Sequence, residues 1–264
     1  MRLTLLGTGT SFGVPQIGCR CAVCCSADPR DRRGRSAALI EIDGANGEQS
    51  VILVDTPPEL RLQLLAAGVT SVDAVLYTHE HADHVHGIDD LRVFSNLQGR
   101  PLPLYASNST LTMLREGYRY IFDPDAAAPA GTSKPRLTLN ELNAGTPTEI
   151  AGVAVVAIPF AHGDSTVLGF RVGPLGYVTD AKAVSGRERE ALKGVDVLVL
   201  NALWWRPHPT HLSIPEAVEA AQAIGARRTI LTHLSHETGH AELASRLPPG
   251  LEPGYDGQVV EVRE

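Results

Sequence analysis

Thr78-His79-Glu80-His81-Ala82-Asp83-His84 places three imidazoles and a carboxylate within seven residues. The apolar run Val72-Asp73-Ala74-Val75-Leu76-Tyr77 leads directly into it. Gathering such groups is costly unless a cation is there to hold them. Mixed His and Asp donors suit divalent Zn²⁺, Mn²⁺ or Fe²⁺. His79 and His81 are two residues apart, so an extended backbone puts both on one side. Asp83 and His84 come where the chain is expected to turn, within reach of a second ion. Two adjacent ions can supply a hydroxide at neutral pH and hold a phosphoester in line with it.

Three further ligand-type residues repeat this arrangement of an apolar strand followed by a donor. His162 comes at the end of a run that starts at Val153, Asp180 follows Gly176-Tyr177-Val178-Thr179, and His233 follows Thr229-Ile230-Leu231-Thr232. Strands are expected at 2–7, 37–42, 50–54, 74–77, 153–158, 169–172, 176–179, 195–201 and 228–232. Helices are expected at 58–67, 86–98, 109–121 and 215–224. Ser213 caps the last of these, and Glu216 completes a capping box. Residues 123–136 lack periodicity and read as an exposed loop, a candidate lid. With no repeat and no linker, residues 1–264 read as one domain. Strands and helices in mixed order give an α/β chain whose donors gather at one edge of the sheets.

The 264 residues are 43% hydrophobic, enough for a sizeable core, and the net charge of −7 argues against a broad nucleic-acid footprint. Arg30, Arg32, Arg33 and Arg35 form a basic cluster that reads as a solvated loop. No apolar run is long enough to span a membrane, and the first ten residues carry no cleavage-type signal. The four cysteines all lie between positions 19 and 25, a crowding typical of metal ligands in a reduced compartment. A cytoplasmic protein is therefore expected. Nothing in the chain argues for an oligomer beyond the general frequency of homodimers.

With all seven positions filled, the chain resembles the metallo-β-lactamase fold superfamily, marked by His-x-His-x-Asp-His followed by His, Asp and His. The resemblance implies a four-layer αββα sandwich with a two-metal site at one edge. It implies that His79, His81 and His162 hold one ion, that Asp83, His84 and His233 hold the other, and that Asp180 bridges them. Gly18-Cys19-Arg20-Cys21-Ala22-Val23-Cys24 is similar to the N-terminal motif of the PhnP-type phosphoribosyl cyclic phosphodiesterases. That narrower likeness implies a structural Zn²⁺ on Cys19, Cys21, Cys24 and His236, with Cys25 a substitute for Cys24. It also implies that His211 is a catalytic histidine outside the ligand set, with His208 as the alternative.

The expected activity is metal-dependent hydrolysis of a small, cyclic phosphodiester such as 5-phosphoribosyl 1,2-cyclic phosphate, on two Mn²⁺ or Zn²⁺ ions. Arg20, Arg35 and Arg206 are candidates for a substrate phosphate. Competing readings are a tRNA 3′-end nuclease, a thioester or lactam hydrolase, and a non-catalytic metal-binding scaffold.

Overall fold

Alternation within each strand sends one set of side chains to each face of a sheet, and here both faces of both sheets are apolar. The computed structural model describes residues 1–44, 49–126 and 128–263. Strands β1 (Arg2–Gly7), β2 (Ala37–Asp43), β3 (Gln49–Val54), β4 (Ala74–Leu76), β5 (Leu102–Ala106) and β6 (Leu137–Glu141) form most of the first sheet. The second contains β7 (Pro147–Ile150), β8 (Val153–His162), β9 (Ser165–Val172), β10 (Leu175–Val178), β11 (Val197–Asn201), β12 (Arg228–Thr232) and β13 (Leu251–Pro253). Strand β14 (Val259–Glu261) returns to the first sheet, giving orders β14-β1-β2-β3-β4-β5-β6 and β13-β12-β11-β10-β9-β8-β7. Strands β3 to β6 are parallel, as are β10 to β13.

The face shared by the two sheets is closed by Leu3, Leu5, Ile40, Ile52 and Leu76 against Phe170, Tyr177, Val197, Val199 and Ile230. Along β3, Ile52 and Val54 enter this layer while Leu53 turns outward onto helices α1 (Leu60–Ala66), α2 (Ala82–Val85), α3 (Arg92–Leu97), α4 (Asn108–Gly117) and α5 (Arg119–Phe122). Along β11, Val197 and Val199 face inward. Leu198 and Leu200 meet helices α6 (Gly186–Leu192), α7 (Ile214–Ile224) and α8 (His240–Arg246). The result is the expected helix–sheet–sheet–helix sandwich. No helix among the described residues is long and apolar enough to cross a membrane.

Several expected boundaries move. The helix anticipated over 86–98 is a 3-10 turn at Ile88–Leu91 followed by α3, and that over 109–121 breaks at Tyr118, whose ψ of 47° is not helical. The capping box on α7 is present, with Ser213 and Glu216 each accepting from the other's backbone N–H. The loop after α5 is tied to α3 by Arg92 on the Ser133 carbonyl and Arg136 on the Ser95 carbonyl. The Gly-rich stretch after β1 runs between the 33–35 segment and Leu234, the neighbour of His233. A Cβ on Gly7 would lie 2.0 Å from the Arg35 carbonyl oxygen, and one on Gly9 would lie 2.7 Å from that of Arg33. Of the basic cluster, Arg30 and Arg32 are solvated as expected, but Arg33 is buried to 1% exposure.

Candidate metal centre

The seven donors come together where β4, β8, β10 and β12 end. Thr78 and His79 come just past β4, and the chain turns into α2 after His81, which carries Asp83 and His84 with it. His162 is the last residue of β8, which runs four residues past the expected end at 158, while Asp180 and His233 lie just beyond β10 and β12. Asp55, Asp180 and His233 hold positive φ values of 62°, 60° and 56°. Side chains rarely adopt this conformation outside glycine, and it costs free energy that surrounding structure must over-determine. It turns each strand end sharply enough to aim its side chain at a common point.

Two donors about 2.0–2.2 Å from one ion lie roughly 2.9–3.6 Å from each other at angles of 90–109°. His79 Nε2 and His81 Nδ1 are 2.9 Å apart, and their group is completed by His162. His84 Nε2 lies 3.4 Å from Asp83 Oδ2 and 3.4 Å from Asp180 Oδ2, and His233 Nε2 lies 3.0 Å from Asp180 Oδ1. These spacings fit two cations sharing Asp180. His84 Nε2 is buried with no hydrogen-bond partner, as a donor waiting for a cation would be. His162 has its Nδ1 taken by the Thr210 carbonyl at 3.0 Å, which leaves Nε2 for an ion.

Electrostatics agree. Burial opposes charge on His84, yet the carboxylates of Asp180 and Asp55 hold its pKa well above the ordinary imidazole range. Burial likewise opposes ionisation of Asp180, but the charges of His233 and His84 hold it well below the ordinary carboxylate range. Burial, helped by neighbouring imidazoles, pushes His79 well down. A cluster this rich in buried carboxylate is one that a divalent ion would neutralise.

Asp55 escaped the sequence reading. It is fully buried and accepts hydrogen bonds from the Thr78 N–H at 2.8 Å, the Thr78 hydroxyl at 2.8 Å and His84 Nδ1 at 2.7 Å. The bond to His84 Nδ1 fixes that proton and directs Nε2 at the centre. Its only signal in the sequence was the same strand-then-donor pattern, Ile52-Leu53-Val54-Asp55.

His211 reaches the centre from the loop before α7. Its Nε2 is 2.9 Å from Asp180 Oδ1, and its Nδ1 meets the Thr210 hydroxyl at 2.8 Å and His208 Nδ1 at 3.1 Å. Burial lowers the His211 pKa to about 4, so the ring is neutral at pH 7. His208 stands one step further out, beside Trp204. A cavity of about 740 Å³ lined by His81, His162, Asp164, Ser165 and Thr210 opens onto the cluster. Of the arginines expected to meet phosphate, Arg35 is paired with Glu59 at 2.7 Å. Arg206 is bidentate to Glu237 and lies over Trp204, and Arg20 is exposed.

The cysteine cluster also closes. His236 Nδ1 lies 3.3, 3.4 and 3.6 Å from the sulfurs of Cys19, Cys21 and Cys24. Tetrahedral ligands with Zn–S near 2.3 Å and Zn–N near 2.0–2.1 Å stand roughly 3.5 Å apart, so the set fits a closed ion site. The backbone N–H of Cys24, helped by His236, lowers the Cys21 thiol to about 6, while burial raises Cys24 to about 11. Cys25 is exposed and outside the group.

Residues 50–234 match the family model described as "Beta-lactamase superfamily domain". A crystal structure of a diphosphatase from the PhnP family superposes with a TM-score of 0.89 at 36% identity, over 98% of this chain and 97% of that one. The Zn²⁺-bound PqqB of Methylobacterium extorquens gives 0.79 at 20% identity over 99% and 100%, a likeness of fold. An octanoyltransferase of Porphyromonas gingivalis is 40% identical over 259 residues, which are 97% of this chain and 51% of that protein. The chain spans about half the length of the first curated relatives it matches. That transferase name thus describes a protein half of which has no counterpart here. With its fold, donor edge and family match in agreement, the chain belongs to the β-lactamase superfamily and has the metallo-β-lactamase fold.

Proposed function

We propose that the protein hydrolyses a small phosphodiester at the edge formed by His79, His81, Asp83, His84, His162, Asp180 and His233. The observation that carries this reading is Asp180. Its oxygens lie 3.4 Å from His84 Nε2 and 3.0 Å from His233 Nε2, it also clusters with His79 and His162 of the other donor group, and its Oδ1 is 2.9 Å from His211 Nε2. His79, His81 and His162 would hold one divalent ion, Asp83, His84 and His233 the other, with Asp180 between them. Mn²⁺ and Zn²⁺ both suit these donors, and Zn²⁺ suits the Cys19, Cys21, Cys24 and His236 set. Bound there, such ions supply Lewis acidity toward phosphoryl oxygens and a nucleophile at neutral pH.

The chain's own part is orientation and charge stabilisation. Thr210 holds two groups at once, its carbonyl fixing His162 and its hydroxyl meeting His211. The neutral His211 ring offers an N–H toward the cluster, positioned to bond an oxygen that gains negative charge as the phosphoester bond breaks. The cavity beside it is lined by hydroxyl and imidazole groups and the Asp164 carboxylate, hydrogen-bonding groups suited to a polyhydroxylated leaving group such as a sugar. A cyclic phosphate such as 5-phosphoribosyl 1,2-cyclic phosphate meets these requirements, its strained ring easing departure of the sugar oxygen. The 36% identical PhnP-family diphosphatase supports a second reading, cleavage of a diphosphate linkage by the same edge. The residues lining the cavity include no lysine or arginine, which speaks against a tRNA substrate. The clustered thiols suit a reduced, cytoplasmic setting.

Phosphorus NMR on Mn²⁺-loaded protein separates the readings. Conversion of 5-phosphoribosyl 1,2-cyclic phosphate to a ring-opened monoester, slowed 10²–10⁴-fold in His211→Ala, supports the first. Turnover of a dinucleoside diphosphate alone supports the second. Inertness toward both with ions bound overturns phosphoester hydrolysis.

A further inference from the structure

Arg33 has the largest side chain among the fully buried residues, and burial lowers its pKa. An interior guanidinium is expensive unless its donors are met. Its one carboxylate contact is long, Nη2 to Asp31 Oδ1 at 3.5 Å, and Nε has no partner. The close contacts are to main-chain oxygens: Nη1 donates to the Ser235 carbonyl at 2.5 Å and Nη2 to the Thr238 carbonyl at 3.1 Å. Those two carbonyls bracket His236. Asp31 adds a third tie to the same segment, accepting the His240 N–H at 2.6 Å.

The backbone of Arg33 holds the other side. Its N–H and carbonyl pair with Val14 at 2.7 and 2.8 Å, at the base of the loop that carries Cys19, Cys21 and Cys24. One residue therefore grips both arms of the Cys₃His set, the cysteine loop through its main chain and the His236 segment through its side chain. The segment it holds begins two residues after His233. Leu234, between them, donates its N–H to the Thr8 carbonyl at 2.9 Å.

We propose that Arg33 is the positioning residue of the Cys₃His site, setting His236 opposite the three thiols before an ion arrives. A fixed planar fork suits this task better than an ammonium. It reaches two carbonyls at once, whereas a lysine at the same place can satisfy only part of the pair. The inference rests on reading the Cys₃His group as an ion site.

The test is cobalt titration of wild type, Arg33→Lys and Arg33→Ala, read by the thiolate-to-cobalt charge-transfer band and by competition with a chelator. Circular dichroism confirms that each variant is folded. We expect affinity at this site to fall 10–100-fold in Arg33→Ala, less in Arg33→Lys, and to recover in Arg33→Ala when millimolar ethylguanidinium is added. Folded variants with wild-type cobalt affinity and spectrum overturn the proposal. So does a loss in Arg33→Ala that ethylguanidinium fails to restore while Arg33→Lys behaves as wild type. If Arg33→Ala does not fold, the Arg33→Lys comparison decides alone. A wild-type protein with no thiolate–cobalt band sinks the ion-site reading and the Arg33 proposal together, an outcome distinct from failure at Arg33.

Discussion

Replacing Asp55 by Asn exchanges one oxygen for a nitrogen and hardly changes the side chain's size, yet it should empty half of the active-site edge. Asp55 Oδ1 accepts the Thr78 N–H, and an amide oxygen can keep that bond. The amide nitrogen then stands where Oδ2 stood, 2.7 Å from His84 Nδ1. Two donors cannot face each other, so His84 must present a lone pair at Nδ1 and carry its proton on Nε2. That nitrogen faces Asp83 and Asp180 and would no longer accept a cation. Losing an outer partner of this kind costs about 10–100-fold in ion affinity, or roughly 1.4–2.8 kcal/mol. The expected result is one tightly held active-site ion in place of two, by elemental analysis after gel filtration against a weak chelator, with the Cys₃His ion retained. Activity should fall by at least the same factor and recover in part at high metal concentration. An Asp55→Asn protein that keeps both ions at wild-type affinity would refute the tautomer argument.

Other expectations follow from the same geometry. His211→Ala should retain its full ion content and lose turnover, since His211 is placed to act on the reacting oxygen; loss of an ion in this variant would reassign His211 as a ligand. Cys24→Ser should lose the Cys₃His ion and unfold at lower temperature, whereas Cys25→Ser should match wild type in both, as measured by elemental analysis and thermal melts. Asp256, which belongs to neither donor group, tests a pH effect. Burial pushes its carboxyl from 3.8 up to about 6, against hydrogen bonds from the Gly34 N–H and the Thr8 hydroxyl. The folded state therefore holds the proton more tightly than the unfolded chain. Stability from this group is full below about pH 4 and is lost as pH rises to about 6. Asp256→Asn should remove that slope and be more stable than wild type at pH 7 by up to about 2–3 kcal/mol. Denaturant melts of both proteins from pH 4.5 to 7 check this; a difference that does not grow with pH would sink it.

The donor cluster that the structure brings together was legible because four of its seven members fall within six residues and each of the others follows an apolar run. Asp55 obeys the same pattern but stands alone, and a single carboxylate after a strand has no local mark of its role. Arg33 was misread for a related reason. It sits among solvated neighbours, and only the fold brings the carbonyls of Ser235 and Thr238 to it across about 200 residues of chain. Short strands were missed where composition disguised them: Leu102–Ala106 contains Pro103, and Leu137–Glu141 lies at a sheet edge where two of its five residues are exposed and none is buried. The strand expected over 153–158 stopped short because the apolar pattern weakens before β8 ends, although the ladder with β9 runs as far as the His162–Ser165 pair.

The donors are divided between the two halves of the chain: His79, His81, Asp83 and His84 follow the first sheet, while His162, Asp180 and His233 belong to the second. In the proposed arrangement each ion is thus a cross-link between sheets, joining residues some 80 to 150 positions apart. The Cys₃His ion joins positions more than 200 apart. Closing loops of such length in an unfolded chain costs several kcal/mol of entropy per link on the chain-entropy view of disulfides. Unlike a disulfide, these links form in a reduced compartment and come apart on chelation. Two separately made halves, divided in the loop between β6 and β7, would be held to each other at this edge for as long as the ions remain.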